Sequence, residues 1–143
     1  MIKYKYLYVL IINTNMNNLD EYIDICIGSN GSHYDVSKVI YELIKDKFSY
    51  SGKNNWKYNE TNEIDEKQCK LRQELKSNVI NKFILRSNYW DDKASIQEDI
   101  NILLNYQIKS STLLQIAHKL TDDKYINCII KELKQFFNTI IDD

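Results

Sequence analysis

The spacing of apolar residues divides the chain into a short N-terminal segment and a longer helical part. Residues 3–12, KYKYLYVLII, are β-branched and aromatic, first alternating and then continuously apolar, which predicts a strand. Residues 19–27 fit either a helix or a strand. Residues 28–32 hold two of the three glycines and indicate a flexible joint. We therefore predict an N-terminal strand and linker extension over residues 1–31 and a separate module over residues 32–143.

The most regular helical pattern begins at Ser32. Ser32 and Asp35 resemble a capping box, with Asp in the place usually held by Glu. The apolar residues that follow at helical spacing are Val36, Val39, Ile40, Leu43 and Ile44. Phe48 and Tyr50 then alternate with polar neighbours, and Trp56 and Tyr58 do so again after a polar turn. This predicts an antiparallel hairpin at about residues 47–60, with room for a third strand at Ile64.

The second half of the chain is helical by pattern. Apolar residues in Lys67 to Arg86 step by four, which predicts a long helix that is covered on more than one side or broken near Asn81. Three further helices are predicted from caps at Asp91 or Asp92, at Ser110 to Thr112, and at Thr121 or Asp122. Their predicted inward residues are Ile96, Ile100, Leu103, Leu104, Leu113, Leu114, Ala117, Leu120, Ile126, Ile129, Ile130, Leu133 and Phe137. The predicted fold class is α+β: an α-rich bundle of four to five helices with a small antiparallel hairpin or three-stranded sheet.

Composition narrows the class of protein. The 143 residues suit one domain, and 19 basic against 20 acidic residues give a net charge of −1. That balance argues against a broadly cationic nucleic-acid coat but leaves room for a local patch. The three cysteines are odd in number and far apart, so each is predicted to be a small buried residue in a reducing compartment. No run of residues is long and apolar enough to span a membrane, which predicts an intracellular protein.

The sequence carries no familiar catalytic or metal-binding motif. The sequence has no GxxxxGK[ST], GxGxxG or HExxH pattern, and His33 and His118 lie far apart. Two of its three Asp–Asp pairs fall where helix N-termini favour negative charge, and the third is at the chain end. We therefore predict a non-enzymatic protein with no metal ion and no cofactor.

The predicted hairpin joins basic and aromatic residues and has two interpretations. Its lysines and rings could neutralise phosphates and stack on exposed bases. Alternatively, Phe48 and Trp56 pack the sheet onto the first helix while the lysines keep an edge strand soluble. The helix over residues 67–86 carries six basic residues against Glu74 alone and could extend the surface, although acidic residues in 60–66 interrupt it. The candidate nucleic-acid-binding residues are Lys45, Lys47, Tyr50, Lys53, Trp56, Lys57, Tyr58, Arg72 and Lys76.

The same residues resemble a known family. The segments HYDVSKVIYELIKDKFSYSGKNNWKYNE and LRQELKSNVINKF resemble the linker, or collar, module that precedes the helicase domain in poxvirus-type primase–helicases of large DNA viruses. IIKELKQFF, residues 129–137, resembles the segment just ahead of the ATPase domain. The resemblance spans residues 32–140. A second Trp expected in the third strand is replaced by residues 60–65, and the family's catalytic residues have no counterpart here.

The resemblance implies a detached replication module. Its expected function is that of a non-enzymatic DNA-replication accessory protein, acting in the cytoplasm of an infected host cell. The partner implied is single-stranded or duplex DNA, or a helicase or primase subunit. A protein-interaction module, whose strand over residues 3–12 adds to a partner's sheet or which docks on a helicase subunit, is the alternative. A truncated paralogue without activity is the third interpretation.

Overall fold

The computed structural model describes residues 19–50, 56–58 and 67–142. The elements are α1 (residues 19–28), α2 (His33–Ile44), β1 (Phe48–Tyr50), β2 (Trp56–Tyr58), α3 (Lys67–Glu74), a π-helical segment (Leu75–Val79), α4 (Ile80–Ser95), α5 (Ile100–Lys119) and α6 (Asp123–Asp142). The predicted strand over residues 3–12 and the third strand at Ile64 lie outside the described residues. The described chain is mostly helical, so the predicted helical bundle is confirmed.

Two helix pairs and one short ladder form the body of the fold. Helix α4 packs against α5, and α2 packs against α6. Strands β1 and β2 pair antiparallel over three residue pairs, with Tyr50 opposite Trp56. Strand β1 lies on α6 and β2 lies on α3. Three residue pairs do not make a sheet layer, so within the described residues the predicted α+β class gives way to a helical bundle with a short antiparallel ladder.

Helix α2 begins as its sequence predicts. Ser32 is its N-cap, and the Ser32 hydroxyl accepts a hydrogen bond from the backbone N–H of Asp35 at 3.2 Å. Val36, Val39 and Ile40 are fully buried because their spacing places them on one face toward the core. The predicted cap and apolar face of this helix are therefore confirmed.

Helix α1 and the following turn are part of the same packed body. Residues 19–28 are helical, and Ile23 and Cys26 belong to the main core. Gly31 has a φ of 77°, and a Cβ there would meet Ile116 Cγ1 at 2.9 Å. The Tyr125 hydroxyl also donates to the Gly31 carbonyl at 2.6 Å. Residues 19–31, assigned from sequence to an extension with a flexible joint, are instead packed on the bundle: Asp24 of α1 bonds to α4, and Gly31 permits a close approach to α5 and α6.

The helix that begins at Lys67 runs further than its pattern indicated. A π-helical segment, Leu75–Val79, precedes Asn81, and the helix then continues to Ser95. Asp91 and Asp92 are exposed residues inside α4 and cap nothing, so the helix predicted to start there is wrong. The cap of α5 is instead Asp99, whose carboxylate accepts from the N–H of Asn101 at 2.9 Å.

Helix α5 is continuous through the predicted break at Ser110 to Thr112. The Thr112 hydroxyl donates to the carbonyl of Ile108 at 2.8 Å, and the buried Ser110 bonds to Ser87 of α4 at 2.9 Å. Hydroxyls satisfied in this way do not end a helix. The predicted cap is therefore wrong.

Several residues predicted to face inward are exposed. Ile96 is 82% exposed, and the other exposed members of the predicted set are Ile100, Leu104 and Leu114. Helix α4 ends at Ser95 and α5 begins at Ile100, whereas the sequence predicted a helix beginning at Asp91 or Asp92. The residues of this region that face the core therefore differ from the predicted ones. Helix α6, by contrast, behaves as predicted: the Asp122 carboxylate caps it by accepting from the N–H of Lys124 at 2.9 Å, and Ile126 is fully buried.

Candidate nucleic-acid interface

The aromatic residues of the hairpin pack inward. Trp56 is fully buried and Tyr50 is 9% exposed, and their ring centroids lie 4.9 Å apart. Phe137 of α6 meets the Trp56 ring edge-on at 5.1 Å. A ring enclosed in this way cannot stack on a base, so the stacking role predicted for Trp56 and Tyr50 is wrong. The rings do pack inward, but against α6 rather than the first helix. The Tyr58 side chain lies outside the described residues.

The described lysines of the predicted ribbon lie next to carboxylates. Lys45 donates to Glu42 at 2.8 Å, and this hydrogen bond and the Glu42 charge raise the pKa of Lys45. Lys47 donates to Glu74 of α3 at 3.0 Å. Lys76 is exposed. Lys53 and the Lys57 side chain lie outside the described residues. The described part of the ribbon is thus partly neutralised by the protein itself.

Two predicted residues instead meet at a cleft between β2, α3 and α6. A cavity of about 340 Å³ opens there. Its lining residues are Trp56, Leu71, Arg72, Asn127, Ile130, Lys131 and Lys134. We call this the basic cleft. It brings Trp56 and Arg72 together with residues of α6 that lie far away in sequence.

Three cationic side chains define the electrostatics of the basic cleft. Arg72 donates to the amide oxygen of Asn127 at 3.1 Å, and an Asp123 carboxylate oxygen lies 3.8 Å from its guanidinium. Asp123 is highly exposed, so water screens that pair. The Lys134 ammonium lies 5.7 Å from the Tyr50 ring centroid. Lys131 is exposed. The described lining of the cleft therefore carries a net positive charge that favours an anion.

Trp56, which lines the cleft, carries a buried polar group. The indole N–H of Trp56 is buried and makes no hydrogen bond in the part of the chain that the structure describes. A buried donor left unpaired costs on the order of 1–3 kcal/mol. Because this N–H is closed to solvent, what the cleft offers a ligand is positive charge and volume.

The spacing of polar residues in α6 is a sequence signal for one side of the cleft. Asn127, Lys131 and Lys134 are spaced by four and three residues and therefore share one helix face. Lys131 and Lys134 belong to IIKELKQFF, the segment that resembles the region just ahead of an ATPase domain. What the sequence alone did not reveal is that this face lies beside Trp56.

Of the described histidines and cysteines, His33 and Cys26 pack within the fold, whereas His118 and Cys128 are exposed. His33 packs edge-on against Tyr125 with ring centroids 5.4 Å apart, and His118 is exposed on α5. Cys26 is buried as predicted, but Cys128 is exposed, contrary to prediction. No group of three or more potential metal ligands occurs among the described residues. Within that same part of the chain, no helix is long and apolar enough to cross a membrane.

Comparison with known proteins gives no match to a family model, to a curated protein or to a solved structure.

Proposed function

We propose that this chain is a non-enzymatic accessory module that binds nucleic acid, and that the basic cleft contacts the phosphate backbone. The observation that carries the proposal is the convergence of Arg72, Lys131 and Lys134 on one cavity. The resemblance to a primase–helicase linker supports a role in viral DNA replication.

The chemistry of the cleft suits a phosphate group. Phosphate oxygens accept charge-assisted hydrogen bonds, which are stronger than neutral ones, from ammonium and guanidinium groups. The cavity of about 340 Å³ lies at the lower end of ligand pockets, which span about 300–1,000 Å³. The apolar part of the wall, Leu71 and Ile130, suits the sugar rather than a second charge. The cleft therefore favours one segment of backbone over a free highly charged ion.

The proposal is tested by fluorescence anisotropy with a labelled single-stranded oligothymidylate and a duplex of equal length. Binding by the native chain should weaken steeply between about 50 and 200 mM salt. Lys131→Glu with Lys134→Glu should lower affinity about tenfold or more, and should reduce the single-strand salt slope by about 1.4 because each lost phosphate contact removes about 0.7.

A matched control separates the cleft from bulk charge. Lys82→Glu with Lys124→Glu makes the same change in net charge at exposed positions of α4 and α6 that do not line the cleft. The control should stay within about threefold of the native affinity. An absence of salt-dependent binding in the native chain, or equal losses in both double variants, would overturn the proposal.

A protein-interaction module is the second candidate, and helix α5 favours it. Ile100, Leu104 and Ile108 are exposed and recur one turn apart. Between Ile100 and Ala117 the sole charged residue is Lys109, and depletion of charge is typical of the centre of protein interfaces. If nucleic acid does not bind, and if Leu104→Glu lowers the mass of the chain in solution, self-association through this face becomes the better function.

A further inference from the structure

A cluster of aromatic and cationic residues lies between α4 and α5. Trp90 of α4 faces Tyr106 of α5, with ring centroids 5.3 Å apart and planes inclined by 38°. Tyr89 meets Trp90 edge-on at 5.1 Å and is 38% exposed, and Tyr106 is partly exposed. We call these three rings the aromatic platform. It is built from other elements than those of the basic cleft.

One edge of the platform is held by helix α1. Asp24 accepts from the Trp90 indole N–H at 3.1 Å and from Arg86 at 2.9 and 2.6 Å. The Asp20 carboxylate adds a longer contact to Arg86 at 3.7 Å. The guanidinium of Arg86 lies 4.0 Å from the Tyr89 ring centroid. The charge of Arg86 is therefore matched by α1, and both Arg86 and Trp90 are fixed in place.

Two lysines on the platform are not matched in this way. Lys93 of α4 and Lys109 of α5 place their ammonium groups 5.6 and 4.3 Å from the Trp90 centroid. The same groups lie 6.0 and 5.9 Å from the Tyr106 centroid. Across the described ranges, neither lysine has a carboxylate within ion-pair distance. Two like charges from different helices thus converge on the same rings.

We infer that the aromatic platform binds one nucleotide of a single strand, with its phosphate between Lys93 and Lys109 and its base against Tyr106. This inference rests on the proposed function and adds a second contact point to it. A phosphate offsets the repulsion between the two ammonium groups. A partly exposed tyrosine supplies a ring on which any base can stack, so the site tolerates different sequences. In duplex DNA the bases are already stacked on one another, so a duplex lacks the contact between a base and Tyr106.

The test measures anisotropy with an oligothymidylate and with an abasic oligomer of the same length and charge. Lys93→Glu with Lys109→Glu should lower affinity for both oligomers by about tenfold, relative to the Lys82→Glu and Lys124→Glu control of equal charge. The neutral pair Lys93→Gln and Lys109→Gln should give a smaller loss in the same direction, which guards against misfolding of the first variant.

Tyr106→Leu separates stacking from charge. The native chain should prefer the oligothymidylate to the abasic oligomer by about fivefold to a hundredfold, the range of a single stacked base. Tyr106→Leu should remove that preference while leaving the salt slope unchanged.

The two proposals fail in different ways. If the native chain binds and the cleft variants weaken it, but the Lys93 and Lys109 variants match the control, the platform inference is overturned and the cleft stands. Equal affinity of the native chain for both oligomers also overturns the stacking contact. No binding by the native chain overturns the inference together with the proposed function.

Discussion

The two tryptophans of the chain occupy contrasting environments. Trp90 donates its indole N–H to Asp24 at 3.1 Å, whereas the same group of Trp56 has no hydrogen-bond partner in the described part of the chain. Both lie among cations. Those near Trp56 are Arg72, Lys131 and Lys134, and those near Trp90 are Arg86, Lys93 and Lys109. The difference is that α1 supplies a carboxylate beside Trp90.

That contrast separates an indole that joins two helices from one that only packs, within similar surroundings. At Trp90 the protein itself meets the hydrogen-bonding requirement of the indole and of Arg86, so these groups join α1 to α4. At Trp56 no group in the described part of the chain meets that requirement, and a buried donor without a partner is costly. Because the Trp90 N–H is already bonded to Asp24, only the ring of Trp90 is available for further contacts.

The largest effect should come from removing the acceptor that distinguishes Trp90. Asp24→Ala leaves the Trp90 N–H and the partly buried Arg86 guanidinium without their main partner, and should lower the free energy of unfolding by about 2–3 kcal/mol. Asp20→Ala, one turn earlier on α1, removes only a contact at 3.7 Å and should cost less than about 0.5 kcal/mol. Urea unfolding of both variants measures the difference.

Equal losses in the two variants would contradict this account, because they would mean that Asp24 acts only through the general negative charge of α1. Asp24→Asn refines the result. It keeps an acceptor oxygen for Trp90 and removes the charge that pairs with Arg86, so its loss should fall between those of the two alanine variants.

Two of the four predicted caps are correct, whereas the long-range contacts were not predicted, for a physical reason. Ser32 and Asp122 cap helices as predicted because a cap depends on residues within one turn. The basic cleft depends on α3 meeting α6, and the Asp24–Arg86 pair joins residues 62 positions apart. Hydrophobic periodicity gives the buried face of each helix but not the neighbour that covers it. The predicted cap at Ser110 is wrong because the Ser110 hydroxyl bonds to Ser87 across the α4–α5 interface.

A pH-dependent loss of stability should follow from Cys26, two residues from Asp24 on α1. Burial, and then the Asp35 charge, raise the pKa of the Cys26 thiol from 9.0 to about 12. The unfolded chain therefore releases this proton at lower pH than the folded chain. The contribution is fully present below about pH 9 and should be lost progressively as pH rises toward 12, by about 2 kcal/mol at about pH 10.5.

Cys26→Ala is the control for that prediction. The variant should be less stable at neutral pH, because it leaves a small cavity in the core, but its stability should fall less steeply between about pH 9 and 11. Burial also raises the pKa of Tyr125, so some dependence should remain in the variant. Denaturant unfolding of both chains at matched pH values measures the slopes, and identical slopes would contradict the assignment to Cys26.

The smallest effect is expected when the two indoles are compared directly by replacing each tryptophan with phenylalanine. Trp90→Phe removes a donor whose partner is a carboxylate, and should cost about 1–2 kcal/mol more than Trp56→Phe, which removes a donor with no partner. Both changes replace a buried indole with a smaller phenyl ring, so the losses of packing largely cancel when the two variants are compared. In an Asp24→Ala background the excess cost of Trp90→Phe should disappear, because the acceptor is already gone. A persistent excess there would show that Trp90 is held by its ring contacts with Tyr106 and the lysines rather than by its N–H, and the distinction between the two tryptophans would then be one of packing alone.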